Sequence, residues 1–242
     1  QITDLSDDKI CPRDQLIAKI SVRRRLLVGD GVGGGDRVMI AHGGTADFFA
    51  DLFAVWGVGA SALCLNQSIT QNEFDNLISF SKPAAVCLAA NAKLVVPDSV
   101  KSIITSGVNE DGGDVTDALC FSYPSDKEAL VLFTSGTTGD PKGVVHTFGS
   151  LSARLEMNLA HFDKSVLDRT LCVLPTHFGH GLIGNCLTPL AGGHSLYLNS
   201  SKGIMGALQL GALVDEHGLT FLSSVPSYWK IALKGLAPTG GS

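Results

Sequence analysis

Charge is scarce in this sequence. Asp, Glu, Lys and Arg make up 17% of 242 residues, against roughly 25% in ordinary soluble domains. No basic excess exists either, because 18 Lys and Arg stand against 23 Asp and Glu for a formal net charge of −5. That balance excludes a general attraction to phosphate backbones, so no nucleic-acid partner is expected. The one basic run, Arg23-Arg24-Arg25, reads as a solvated helix face rather than a polyanion patch. Cys-x-x-Cys pairs are also missing. The cysteines Cys11, Cys64, Cys87, Cys120, Cys172 and Cys186 mostly sit in apolar strings such as Ala62-Leu63-Cys64-Leu65. They read as buried small hydrophobes in a reducing compartment. A long uninterrupted apolar span is absent too: the longest stretch without Asp, Glu, Lys or Arg, 170–201, contains Pro175, Pro189 and glycines 179, 181, 184, 192 and 193. Such a stretch is no ordinary membrane-spanning helix. Residues 1–14 are polar and charged and do not resemble a secretory signal. The expected setting is the cytoplasm.

What the sequence has in quantity is apolar surface and glycine. Hydrophobic residues make up 45% of the chain and 28 residues are Gly, and the mean hydropathy is +0.25. A large core and many tight turns follow. After Pro12, the residues Leu16, Ile17, Ile20, Val22 and Leu26 fall near helical spacing, and the glycines from 29 to 35 end that helix. A strand over 37–41 follows, then a helix capped by Thr45 with Phe49, Leu52, Phe53 and Trp56 on one stripe. The alternation continues with a strand at 60–65, a helix at 70–80, a strand at 84–89 and a less regular stretch to Tyr123. Beyond that stretch the pattern predicts a strand at 129–133 and a helix near 150–161. A strand at 170–174, a helix near 181–190 and a strand at 195–198 come next. The last elements are a helix at 206–216 closed by Gly218, a strand at 219–225 and a helix begun by Pro226 and Ser227. Continuous apolar strands between helices indicate an α/β fold with mostly parallel sheets flanked by helices.

Two glycine-rich segments compete for a phosphate-binding role. Gly29-Asp30-Gly31-Val32-Gly33-Gly34 satisfies GxGxxG, but it follows a helix and precedes a strand, the reverse of the dinucleotide fingerprint. A surface turn is the simpler account. Thr134-Ser135-Gly136-Thr137-Thr138-Gly139-Asp140-Pro141-Lys142-Gly143 follows the buried strand at 129–133 directly. Its glycines let backbone N–H groups approach an anion, its hydroxyls can donate to phosphate oxygens, and Lys142 supplies charge. It is not a Walker A loop, since Val144-Val145-His146 after it favours extended structure instead of a helix. A second group, His177-Phe178-Gly179-His180, has metal-like HxxH spacing but no carboxylate or cysteine close in sequence, so no metal ligand is assigned. His42, His161, His194 and His217 belong to no constellation and read as structural or surface residues.

Residues 134–143 resemble the phosphate-binding loop of the adenylate-forming superfamily, which includes acyl-CoA synthetases, adenylation domains of peptide synthetases and firefly-type luciferases. The resemblance covers nearly the whole chain, through Gly35-Asp36-Arg37-Val38-Met39-Ile40, Ser81-Lys82-Pro83, Leu174-Pro175, Pro189 to Gly193 and Val225-Pro226-Ser227. It implies the N-terminal portion of the large domain of an acyl-CoA synthetase-like fold. The implied reaction has a carboxylate attack the α-phosphate of ATP, with Mg2+ on the phosphate oxygens, and then a thiol of CoA or carrier-protein phosphopantetheine displace AMP. Carried over by position, Thr134, Ser135, Thr137 and Thr138 would bond the β- and γ-phosphates. Gly136 and Gly139 would permit the wrap, and Lys142 would pair with phosphate as the catalytic cation. His177, Phe178 and His180 would line the pocket for a small-molecule carboxylic acid.

The downstream elements of that superfamily are not among these 242 residues. They are the acidic adenylate-binding segment, the ribose-binding aspartate and the small C-terminal domain with its lysine. The expectation is one partial N-terminal domain over 1–242 of an acid–thiol ligase, with the small C-terminal domain absent, whose partners include the missing C-terminal remainder and which has little activity alone. A different class also fits: a non-catalytic nucleotide-binding subunit or scaffold that needs a separate partner chain.

Overall fold

The structure is a computed structural model that describes residues 1–105, 123–134, 142–199 and 203–239. In chain order it begins with β1 (Ile2–Asp4), β2 (Lys9–Cys11), α1 (Arg13–Gly29), β3 (Arg37–Ile40), α2 (Ala46–Gly57), β4 (Ser61–Cys64), α3 (Gln71–Ser81), β5 (Ala85–Leu88), β6 (Lys101–Ile104), β7 (Glu128–Thr134) and β8 (Lys142–Thr147). It continues with α4 (Phe148–His161), β9 (Arg169–Cys172), α5 (Thr188–Ala191), β10 (Ser195–Leu198), α6 (Gly203–Leu208), α7 (Leu210–His217), β11 (Phe221–Leu222) and α8 (Pro226–Ala232). Two compact units result. One is Arg13–Ser152; the other joins Gln1–Pro12 to Ala153–Ser242.

The Arg13–Ser152 unit holds a six-stranded sheet in the order β6-β5-β3-β4-β7-β8. All pairs are parallel except β7 with β8. Beyond Arg37 and Ser61 at their starts, strands β3, β4 and β5 are apolar and buried because both their faces are covered. On one face Met39, Leu63, Val86 and Val131 pack with Phe74, Leu77 and Ile78 of α3. Helix α3 starts at a full capping box, in which the Thr70 hydroxyl accepts from the Glu73 N–H and the Glu73 carboxylate accepts from the Thr70 N–H. The Thr70 hydroxyl, which donates to the Glu73 carboxylate at 2.7 Å, and the Thr70 N–H hold that carboxyl below its ordinary pKa. Helix α2 is capped by Thr45, as its sequence predicts, and Trp56 donates through Nε1 to the Ala129 carbonyl at 2.7 Å.

The reading of Arg23-Arg24-Arg25 as a solvated face is corrected here, because Arg23 is 3% exposed. Its guanidinium bonds the Asp47 carboxylate at 2.5 Å and lies 3.4 Å from Asp51. Asp51 in turn bonds His42 Nε2 at 2.6 Å and accepts from the Thr105 hydroxyl at 3.0 Å. Burial pushes the Asp47 carboxyl up, but Arg23 and Lys19 outweigh it and hold it below the usual range. A triple-arginine run carries no sequence mark of which member turns inward. Only the last of the three, Arg25, is fully exposed.

The other unit holds a five-stranded sheet, β11-β9-β10-β1-β2, parallel except for β1 with β2. Its core joins Leu5, Leu171, Tyr197 and Leu213. Strands β1 and β2, three residues each, come from a segment the sequence pattern leaves unassigned. They exist because β10 offers β1 a parallel partner, with Ile2 opposite Leu196, so tertiary pairing outweighs weak local propensity. Three expected elements differ. The helix near 181–190 is a π-helical turn, His180–Leu187, followed by α5. The helix at 206–216 is two pieces broken at Gln209. The strand at 219–225 shrinks to β11, two residues long.

Candidate functional site

Parallel strands place their carboxyl ends on one edge, where α/β folds put ligand loops. Strand β7 runs parallel to β4 with Ala129 and Leu130 fully buried, and it ends at Thr134 on that edge. Strand β8 returns beside it, so Thr134 stands opposite Lys142 in register. The Thr134 hydroxyl donates to the Lys142 carbonyl at 3.4 Å. Ser135, Gly136, Thr137, Thr138 and Gly139 lie outside the described residues. The structure thus brings together the two ends of the sequence-predicted loop, with Lys142 exposed at the start of an edge strand. An exposed ammonium there is available to an anion at little desolvation cost.

The histidine group belongs to the other unit. Strand β9 ends at Cys172, and the chain from 173 to 179 leads into the π-helical turn. Such turns redirect side chains from the α-helical register and recur at functional sites. A side chain at Gly181 would lie 2.6 Å from the Pro175 carbonyl, so only glycine lets the turn fold back on the Pro175 segment. His177 and Phe178 stack with ring centroids 4.3 Å apart. Burial lowers the His177 pKa, which keeps the imidazole neutral near pH 7. Phe178 is 52% exposed, an unusual setting for an aromatic ring.

His180 is fixed by a partner 43 residues away, as Nε2 lies 2.9 Å from the Ser223 hydroxyl. Asn185 donates to the Ser223 carbonyl at 2.6 Å. Sequence reasoning missed both Asn185 and Ser223, because no spacing rule links the π turn to the end of β11. Further polar atoms at this edge lack partners among the described residues. Both side-chain polar atoms of Asn199 after β10, the Ser224 hydroxyl after β11 and the Tyr228 hydroxyl of α8 are buried without a hydrogen bond. Native interiors leave few such groups unpaired unless they serve a ligand or water. Burial also raises the Tyr228 pKa, so that hydroxyl stays protonated and able to donate.

Behind the turn, the Cys172 thiol contacts Cys186, and that hydrogen bond, with lesser ones from the Leu174 backbone and Asn185, lowers its pKa despite burial. Cys186 moves the opposite way, through burial and the neighbouring Cys172. Both thiols are buried, as are Cys11, Cys64 and Cys87; Cys120 lies outside the described residues. Of the remaining histidines, His194 Nδ1 pairs with Asp168 at 2.9 Å. Among the described residues no group of three or more His, Cys, Asp or Glu could hold a metal ion, and no helix is long and apolar enough to cross a membrane.

A family profile described as AMP-binding enzyme matches residues 21–240. The chain belongs to the AMP-binding enzyme family. It is 28% identical over 225 residues to the oxalate–CoA ligase of Arabidopsis thaliana, covering 86% of this chain and 43% of that protein. It is 26% identical over 216 residues to a dimodular nonribosomal peptide synthase of Bacillus subtilis (strain 168), covering 85% of this chain and 9% of that one. Among solved structures, O-succinylbenzoate coenzyme A synthetase from Bacillus subtilis, in complex with AMP, superposes with a TM-score of 0.78 at 21% identity, over 98% of this chain and 61% of that chain. The N-terminal domain of FACL13 from Mycobacterium tuberculosis gives a TM-score of 0.78 at 21% identity, over 96% of this chain and 60% of that one. At that identity the likeness establishes the fold. The chain spans less than half the length of these curated relatives.

Proposed function

We propose that this chain supplies the ATP-phosphate loop and part of the acid pocket of an enzyme that forms an acyl-adenylate and passes the acyl group to a thiol, CoA or carrier-protein phosphopantetheine. The observation that carries the reading is the closing pair Thr134 and Lys142 at the carboxyl end of a buried parallel strand, in a chain of the AMP-binding family. In this role Thr134, Ser135, Thr137 and Thr138 donate to the β- and γ-phosphates, Gly136 and Gly139 keep the backbone close, and Lys142 neutralises charge as pyrophosphate leaves. Mg2+ bound with ATP would add positive charge at the phosphates beside Lys142.

In the same reading the neutral His177 ring and Phe178 form an apolar wall for the acid, and Ser223 holds His180 in one orientation. The unpartnered donors Asn199, Ser224 and Tyr228 suit a substrate with polar groups beyond its reacting carboxylate.

Oxygen transfer tests the chemistry. A carboxylate oxygen that attacks the α-phosphate stays on AMP when the thiol takes the acyl group. With the acid labelled by 18O and the protein that carries this sequence, AMP is expected to contain one labelled oxygen per turnover. AMP without label, or formation of ADP, contradicts the reading.

A further inference from the structure

The amino ends of the parallel strands in the Arg13–Ser152 unit, opposite the edge that bears the Thr134–Lys142 loop, enclose a polar cavity of about 420 Å3. Its walls include Arg37 at the start of β3, Ser61 at the start of β4, Lys82 before β5, and Lys127 and Glu128 at the start of β7. Sheet order places β3 and β4 between β5 and β7. Arg37 and Ser61 therefore line the middle of the cavity, and Lys82 and Lys127 line its opposite flanks.

The donor inventory of this cavity is lopsided. Glu128 spends both oxygens on Arg37, accepting from Nε at 2.8 Å and from Nη2 at 2.7 Å. The Arg37 hydrogen bonds dominate and hold the Glu128 carboxyl below its ordinary pKa, so it stays ionised and occupied. Asp36 accepts from the Gly33 N–H at 2.9 Å. Arg37 Nη1 and the ammonium groups of Lys82 and Lys127 have no partner among the described residues. Three cations against two anions leave the cavity with one net positive charge and an excess of donors. That surplus suits a ligand made only of acceptors.

The backbone at Lys82 adds an independent observation. Lys82 closes α3 in the left-handed region, at φ 48° and ψ 60°, a position where glycine is strongly favoured and a side chain costs stability. A lysine thus stands at a strained position that also lines the cavity.

We propose that this cavity is a second anion site, selective for the phosphate oxyanion and held chiefly by Lys82, Lys127 and Arg37 Nη1. It does not rest on the ATP reading, because it lies at the opposite edge of the sheet and uses none of residues 134–142. Phosphate titration by calorimetry at constant ionic strength tests it. Done in the protein carrying Lys142→Ala, it is blind to the loop at the other edge.

Saturable phosphate binding is expected, with acetate about tenfold weaker or less. Lys82→Gly and Lys127→Gln should each weaken phosphate about tenfold, whereas Lys93→Gln, the same charge change at an exposed position, should leave it unchanged. Lys82→Gly also separates binding from folding. Its unfolding midpoint without phosphate should hold or rise, since glycine suits the left-handed position. Phosphate that gives no saturable binding overturns the proposal. So does equal binding by Lys82→Gly, Lys127→Gln and their parent.

Discussion

The two units solve the same problem, a mostly parallel sheet, with different regularity. In Arg13–Ser152 the helix starts of α2 and α3 are capped by side chains, the central strands are buried on both faces, and a buried arginine meets carboxylates. In the unit that contains β9 to β11, helices α5, α7 and α8 lack a side-chain cap and one helical segment is a π turn. The first behaves as a scaffold whose local signals agree with its fold. The second departs from local rules where its strands end, and chains depart from such rules mostly where a ligand repays the cost.

Substitution of one aromatic ring in each unit tests that contrast most strongly. Phe74→Ala removes a fully buried ring from the six-stranded unit and should cost about 3–5 kcal/mol in urea unfolding. Trp229→Ala, at a ring 37% exposed on α8, should cost clearly less. Equal losses would break the comparison. Arg23→Ala removes the buried guanidinium from Asp47 and leaves Asp51, which is 1% exposed, to His42 and Thr105 alone, and should cost about 3 kcal/mol. Arg25→Ala at an exposed position should stay within about 0.5 kcal/mol, and a similar loss at both would restore the solvated-face reading of the run.

Acid should weaken the scaffold through its paired carboxylates. The folded-state pKa values of Glu128 and Asp47 lie below their ordinary values. Their contribution is therefore full above the unfolded carboxylate range and fades as pH falls through the folded values. Unfolding midpoints should decline below about pH 4.5, and Glu128→Gln should flatten that decline. An unchanged slope would remove the Arg37–Glu128 pair from the account. The smallest effect is expected at Ser224→Ala, within about 0.5 kcal/mol or slightly stabilising, because its hydroxyl has no partner to lose. Ser81→Ala instead gives up a 2.6 Å bond to the Leu77 carbonyl and should cost about 1 kcal/mol.

Much of the fold is legible in residue pattern, and the departures have physical causes. Thr45 as a cap, the apolar strand at 129–133 and the turn at Gly192 and Gly193 followed by a strand at 195–198 all stand where local chemistry puts them. Strands β1 and β2 are not legible, because β1 owes its existence to β10, nearly two hundred positions away, and β2 in turn pairs with β1. The π turn is hidden, since an apolar run such as Gly181 to Leu187 suits an α and a π register alike. Of the candidate site, Lys142 and Thr134 are visible as a loop after a buried strand. Ser223 and Asn185 are not, because they meet at the π turn only through the fold.

The central claim is that Lys142 serves the phosphates while Phe178 serves the acid. Acid-dependent exchange of pyrophosphate into ATP, measured in the protein that carries this sequence, tests it directly. Lys142→Ala is expected to lower the exchange rate about a hundredfold or more, and Phe178→Ala to raise KM for the acid while changing KM for ATP little. Exchange undiminished by Lys142→Ala would contradict the account.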